Sequence, residues 1–171
     1  MSAISQVTPR LYLSGIDALN PSALAHRRVT LVVCLCDPPS RSQHTGTEWV
    51  CVPVRDEPHA PLHRHFDALA ELIHLNRSGS SLVCCAAGRS RSPSLVMAYL
   101  MRFEGTSLLE AYLQVLDARP FIRPNAGFWR QLLDYERRLH SSNSVRMVSS
   151  TNGVLPESIT PTKDCGYCLN I

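Results

Sequence analysis

The sequence contains no apolar run of about 18 residues, the length that a membrane-spanning helix needs. Its first residues also lack a basic stretch followed by an apolar one, so we expect no secretory signal. Seven cysteines, an odd number without such a signal, favour reduced thiols over a disulfide scaffold. Together these absences predict a cytoplasmic or nuclear protein without a transmembrane segment.

Lysine is almost missing as well. Sixteen of the seventeen basic residues are arginine, and Lys163 is the exception. The planar fork of arginine suits phosphate and carboxylate oxygens, although the base composition of the gene explains the bias equally well. The net charge of +3 is small and the arginines are scattered, so the sequence predicts no nucleic-acid partner.

The chain of 171 residues has the length of one folded domain with a tail. Hydrophobic residues make up 44% and charged residues 18%, which excludes disorder along the whole chain. We predict a single domain over residues 1–140. Residues 141–171 are rich in Ser and Thr and lack apolar periodicity, so we predict an extended or flexible tail there.

Apolar patterns predict strands and helices that alternate along the chain. Apolar, often β-branched segments predict strands at residues 11–13, 29–36, 49–54 and 81–85. Apolar stripes with helical spacing predict helices at residues 62–76, from about 95 to 104, from Ser107 onwards and along 128–139. The order of these elements indicates an α/β fold, with a central, mostly parallel sheet flanked by helices.

The segment from Cys85 to Arg91 lies where a buried strand turns into a helix. A loop of inward-facing backbone N–H groups at a helix N-terminus binds phosphate. Ala86, Ala87 and Gly88 are small enough for that curvature, and Gly88 tolerates a positive φ. The same field favours the thiolate of Cys85, and the guanidinium of Arg91 can bind two phosphoryl oxygens at once.

These residues carry a resemblance to a known family. Cys85 to Arg91 followed by Ser92 resembles the C-x5-R-S signature of the protein-tyrosine-phosphatase superfamily. Further segments are similar to the small atypical dual-specificity phosphatases, and the similarity runs from about Ile4 to Ser150. Those segments are residues 98–101, 108–112, 119–125 and 127–129. The resemblance implies that residues 1–140 form a dual-specificity phosphatase catalytic domain.

The resemblance also implies roles for single residues. Asp56 stands where the family keeps its general acid, with Glu57 as the adjacent rival. Ser92 is expected to stabilise the departing thiolate, or else only to make a local hydrogen bond at the helix start. Asn125 ties a neighbouring loop to the phosphate loop or caps the last helix, and both alternatives stay open. The expected phosphate-binding residues are Ala86, Ala87, Gly88, Arg89, Ser90 and Arg91.

Two positions depart from the family pattern. Cys84 replaces the histidine that usually precedes the nucleophile, and because a thiol is a weak donor we expect a slower enzyme. A disulfide between Cys84 and Cys85 is disfavoured by geometry. Arg89 replaces an apolar rim residue. It either points into solvent or favours substrates with several phosphates, including phosphoinositides and RNA ends.

The expected function is a cofactor-free, metal-independent cysteine phosphatase that acts on phosphotyrosine and phosphoserine or phosphothreonine in proteins. Mitogen-activated protein kinases or their regulators are the partners that the resemblance suggests. A weakly active or inactive module that binds phosphorylated proteins is the alternative. Three weaker patterns are interpreted as having no function of their own. The histidines at 59, 63 and 65 are not expected to bind a metal, and the Cys165–Cys168 pair is attributed to chance. Cys34, Cys36 and Cys51 are interpreted as core thiols.

Overall fold

The computed structural model describes residues 3–38, 46–151 and 153–157. A five-stranded sheet forms its centre, in the order β1-β2-β5-β3-β4. Only β1 runs antiparallel to its neighbour, so the sheet is mostly parallel, as predicted. The strands are β1 (Ser5–Thr8), β2 (Leu11–Gly15), β3 (Val29–Cys34), β4 (Glu48–Cys51) and β5 (Ser80–Cys85).

Helices cover both faces of this sheet unequally. The larger core holds Leu13, Val33 and Val83 beneath four helices. The smaller core holds Val32, Leu82 and Leu24 of the short helix α1 on the other face. The helices are α1 (Pro21–His26), α2 (Phe66–Leu75), α3 (Arg91–Phe103), α4 (Leu108–Ala118) and α5 (Ala126–His140), with a 3-10 turn at Leu62–His65 before α2. The predicted α/β class is confirmed.

The observed elements differ from the predicted ones mainly at their ends. The predicted strand at 29–36 ends at Cys34, because the chain bends at the next two residues. The predicted strand at 49–54 ends at Cys51, two residues before Pro53, which has no N–H group for a ladder. Helix α3 begins at Arg91, earlier than its apolar stripe suggests. The capping box at Ser107 is confirmed, since Ser107 and Glu110 bond reciprocally.

Four elements had no prediction. Strand β1 and helix α1 are short, and α1 is stabilised by the Asn20 cap with Pro21 in its first turn rather than by a long apolar stripe. Strands β6 (Met147–Ser150) and β7 (Gly153–Pro156) pair antiparallel in the segment for which a tail was predicted. Residues 158–171 lie outside the described residues.

Asp67 connects helices α2, α3 and α5. Its Oδ1 atom on α2 accepts hydrogen bonds from Arg102 Nη1 of α3 (2.8 Å), Tyr135 Oη of α5 (2.8 Å) and Arg138 Nη2 of α5 (2.7 Å). Partial burial opposes ionisation of this carboxyl group, but the bonds from Tyr135 and Arg138 outweigh it and lower the pKa of Asp67. The network thus joins α2 to the last turn of α3 and to α5.

Candidate active site

The loop from Cys85 to Arg91 joins β5 to α3 and packs against the end of β2. Gly88 has a φ of +66°, and a Cβ atom there would lie 2.5 Å from the carbonyl carbon of Ser14. Any side chain at this position would therefore need both a strained backbone and a displaced strand. The prediction that Gly88 permits a tight curve agrees with this geometry.

Four carbonyl groups of the loop accept hydrogen bonds from donors outside the loop, so these carbonyl groups face outwards. Ile16 N donates to Ala86 O (3.2 Å) and Arg123 N donates to Arg89 O (2.6 Å). Between these two, Arg119 Nη2 donates to Ala87 O (3.2 Å) and Arg119 Nε to Gly88 O (2.7 Å). In a trans peptide unit the N–H group points opposite to the C=O group. The N–H groups that follow these carbonyls therefore face the centre of the loop, which makes an anion site.

Arg119 is a residue whose role the sequence analysis missed. It is fully buried, and its Nη1 atom also donates to Ala3 O (2.9 Å) and Ser5 Oγ (3.1 Å) of the N-terminal segment. Burial lowers the pKa of its guanidinium group. The sequence signal is weak, because Arg119 is an arginine that directly follows the amphipathic helix α4 and precedes Pro120.

The nucleophile candidate lies at the bottom of this loop. Cys85 is buried, and its Sγ atom is 3.1 Å from the Oγ atom of the fully buried Ser92. Arg91 Nη1 donates to the carbonyl oxygens of Val54 (2.9 Å) and Leu35 (3.4 Å). Arg91 Nε is buried without a hydrogen-bond partner among the described residues. An unpaired donor of this kind suits a loop that binds an anion.

The structure brings Asp56, and not Glu57, to the phosphate loop. Asp56 Oδ1 accepts from the Ser90 hydroxyl (2.7 Å) and from Asn125 Nδ2 (2.9 Å). Glu57 instead contacts Arg55 (3.6 Å) and His59 (3.1 Å). Asp56 Oδ1 thus accepts two bonds, whereas Oδ2 accepts none from the described residues.

Asn125 makes both of the contacts that the sequence left as alternatives, the cap of the last helix and the link to the phosphate loop. Its side-chain oxygen caps α5 by accepting from Phe128 N (2.9 Å). Its amide nitrogen Nδ2 holds Asp56, and its backbone N–H donates to Ser90 Oγ (3.1 Å). Gly127 lies two residues after Asn125, and a Cβ atom there would clash with the carbonyl group of Pro58. The start of α5 is thus pressed against the loop that carries Asp56.

Cys84 lies on the opposite face of β5 from Cys85. It is fully buried in the smaller core, and both cysteines are free thiols. Cys84 is in register with Cys34 of β3, which is in turn in register with Cys51 of β4. The neighbouring Cys84 thiol lowers the pKa of Cys34, while the Cys34 thiol and burial raise the pKa of Cys84. Cys84 therefore belongs to a group of thiols behind the phosphate loop.

Arg89 is exposed on the rim, and its Nε atom donates to Phe121 O (3.2 Å). Its backbone supports the loop, while its side chain borders a cleft beside the loop of about 730 Å³. This cleft is lined by Gly15, Asp17, Ala18, Ala86, Ala87, Arg89 and Phe121.

The weaker patterns of the sequence form no site in the part of the chain that the structure describes. No group of three His, Cys, Asp or Glu residues there has the arrangement of a metal site. His59 contacts Glu57 instead, and Cys165 and Cys168 lie outside the described ranges. Within those ranges, no helix has the length and apolar character needed to cross a bilayer.

Comparisons with known proteins agree with this geometry. The family model of the dual specificity phosphatase catalytic domain matches residues 11–138. Human dual specificity protein phosphatase 14 is 44% identical over 160 residues, which cover 92% of this chain and 81% of the relative. A mouse putative dual specificity phosphatase superimposes with a TM-score of 0.77 at 34% identity, over 82% of this chain and 91% of that one. Human DUSP28 superimposes with a TM-score of 0.75 at 37% identity, over 80% and 94%.

A mostly parallel sheet with a cysteine and an arginine at the two ends of a strand-to-helix phosphate loop defines a cysteine-based phosphatase. The chain belongs to the dual specificity phosphatase family. It is a hydrolase that removes phosphate from phosphotyrosine and phosphoserine or phosphothreonine in proteins, and its partners are phosphorylated proteins.

Proposed function

We propose that Cys85 is the nucleophile, that Arg91 and the loop from Ala86 to Ser90 bind the phosphoryl group, and that Asp56 is the general acid. The observation that carries this proposal is the convergence of the Cys85 sulfur, the inward N–H groups and the Asp56 carboxyl group on one loop. In the first step the Cys85 thiolate attacks phosphorus in line. The bond to the leaving oxygen breaks, and Asp56 Oδ2 supplies its proton.

The second step releases phosphate. Asp56, now a carboxylate, takes a proton from water, and the water oxygen attacks the phosphorus of the cysteinyl phosphate. The sulfur–phosphorus bond breaks and Cys85 leaves as a thiolate. Ser92 Oγ, 3.1 Å from this sulfur, donates a hydrogen bond that stabilises it. Ser90 and Asn125 position the acid by binding Asp56 Oδ1.

We propose mitogen-activated protein kinases or their regulators as substrates, on the strength of the sequence resemblance. A cytoplasmic or nuclear location fits the chemistry, since a reactive thiolate needs a reducing compartment. We also propose that residues 1–140 are the catalytic domain and residues 141–171 a tail.

A second candidate follows from Cys84. A histidine at this position would supply a stronger hydrogen-bond donor behind the nucleophile, whereas Cys84 points into the smaller core. A protein with little turnover would act by holding phosphorylated partners.

Turnover and binding separate the two candidates. The purified protein should hydrolyse an aryl phosphate and a phosphotyrosine peptide without added metal, with vanadate as inhibitor and a bell-shaped dependence of kcat/KM on pH. The Cys84→His variant should be faster, provided that its thermal stability matches the wild type. Phosphopeptide binding without hydrolysis from about pH 5 to 9 would instead identify a binding module.

A further inference from the structure

Four cysteines lie together behind the phosphate loop, and the proposed reaction uses none of them. They come from the ends of three neighbouring strands, β3, β4 and β5. Cys34 is fully buried and is the central member, while Cys36 and Cys51 are half-buried. The other member is Cys84.

Cys34 and Cys36 are placed to react with each other. Their Sγ atoms are 3.7 Å apart, and the Cys34 sulfur also lies 3.2 Å from the carbonyl oxygen of Cys36. A disulfide needs the two sulfurs at about 2.05 Å. The two sulfurs must therefore approach by about 1.7 Å, at a point where the chain bends.

Leu35, the residue between these cysteines, helps to position Arg91. Leu35 O accepts from Arg91 Nη1 (3.4 Å) and from Val54 N (3.2 Å), and Leu35 N donates to Cys84 O (2.8 Å). The two carbonyl oxygens that hold Arg91 are those of Leu35 and Val54. A bond across Leu35 therefore changes the segment that positions the phosphate-binding guanidinium group.

We propose that Cys34 and Cys36 form a reversible disulfide under oxidation by hydrogen peroxide, and that this bond lowers phosphatase turnover by displacing Leu35 from Arg91. The effect on turnover rests on the proposed role of Arg91, whereas formation of the bond does not. The half-exposed Cys36 gives a small oxidant access to the pair. The lowered pKa of Cys34 supports a thiolate there.

The reaction balances with one peroxide molecule. The Cys34 thiolate attacks one peroxide oxygen, the O–O bond breaks, and hydroxide leaves, so Cys34 becomes a sulfenic acid. The Cys36 sulfur then attacks the Cys34 sulfur, the S–O bond breaks, and the oxygen leaves as water with the proton of Cys36. Two electrons pass from the two sulfurs to peroxide, and a thiol reductant reverses the bond.

Peptide mapping after trypsin tests the bond directly, because the sequence separates the cysteines well. Cys34 and Cys36 share the peptide of residues 29–41, Cys51 lies in 42–55, and Cys84 and Cys85 share 78–89. The Cys85→Ser variant is treated with peroxide, unfolded, alkylated and digested. We expect peptide 29–41 to resist alkylation and to be two hydrogens lighter, and to return to normal after reduction.

Matched variants give the controls. The change should persist in Cys85→Ser/Cys51→Ser and disappear in Cys85→Ser/Cys36→Ser. A cross-link between peptide 29–41 and either other peptide, or full alkylation of peptide 29–41, would overturn the proposed pair. None of these readings needs phosphatase activity, so they are independent of the proposed catalytic roles.

Turnover tests the consequence. With Cys85 shielded by inorganic phosphate, peroxide should lower kcat/KM of the wild type at least about tenfold, since small displacements of a binding group have effects of this size. Dithiothreitol should restore the rate, and Cys36→Ser should keep its rate throughout. Equal losses in wild type and Cys36→Ser would show that the disulfide does not control the site.

Discussion

Cys84 and Cys85 are consecutive, both buried, and have opposite surroundings. The Cys85 sulfur faces a hydroxyl group and a loop whose N–H groups point inwards, supported by Arg119 and Arg123. The Cys84 sulfur faces Leu82, Val32 and other thiols in the smaller core. A strand places successive side chains on opposite faces, so a shift of one position separates the proposed nucleophile from a core residue. Residue type alone decides neither role.

The largest loss of activity is expected when oxygen replaces the sulfur of Cys85. The same exchange at Cys84 is the control. Cys85→Ser should lower kcat/KM for a phosphotyrosine peptide by at least about a thousandfold, because the attacking thiolate is lost. Cys84→Ser, the matched control, should stay within about tenfold of the wild type. Steady-state kinetics measure both, and a Cys84→Ser loss as large as that of Cys85→Ser would end the distinction between the two faces.

Replacement of Asp56, the proposed general acid, should cause the next largest loss of activity. Asp56→Asn is expected to lower kcat by about 10²- to 10⁴-fold for phosphoserine peptides, because their alkoxide leaving group needs a proton. The loss should be smaller for an aryl phosphate with a good leaving group. Glu57→Gln is the matched control and should change the rate less than about twofold, since Glu57 contacts Arg55 and His59 and not the loop. A larger loss for Glu57→Gln would move the acid to the adjacent residue.

Substitution of Arg119 tests whether this residue holds the loop that begins at Cys85. Arg119→Lys keeps the charge but cannot reach Ala87 O and Gly88 O with a fork. We expect kcat/KM to fall about ten- to hundredfold and the free energy of unfolding to fall by about 2 kcal/mol for two lost hydrogen bonds. Thermal or urea unfolding measures the second quantity. The exposed Arg130→Lys should change neither, and unchanged kinetics in Arg119→Lys would show that the loop is held without this residue.

Much of the fold and the site could be predicted because the determining signals are local. The apolar run of β5, the small residues 86–88 and the capping box at Ser107 each specify their own backbone. The sequence also placed Asp56 close to the loop through resemblance. Contacts between distant segments were not predictable in this way. Arg119 binds a loop about thirty residues earlier and the N-terminal segment, and no short pattern encodes that.

The group of thiols shows the same limit. From the sequence, Cys34 and Cys36 are predicted as core residues of one apolar strand and Cys51 as a core residue of another. The proximity of Cys51 and Cys84 to Cys34 follows from the strand order, in which β3 lies between β4 and β5. Strand order depends on packing of the whole sheet, so the local pattern could not bring these three sulfurs together.

Selective alkylation compares the two faces most directly. The wild-type protein is treated with a limiting amount of iodoacetate, with and without phosphate, and the labelled cysteine is identified by peptide sequencing. The structure predicts that carboxymethylation occurs first at Cys85, that activity is lost in proportion to this label, and that phosphate protects against both. First labelling at Cys84 or Cys34, or full activity in protein labelled at Cys85, would contradict the assignment of Cys85 as the nucleophile.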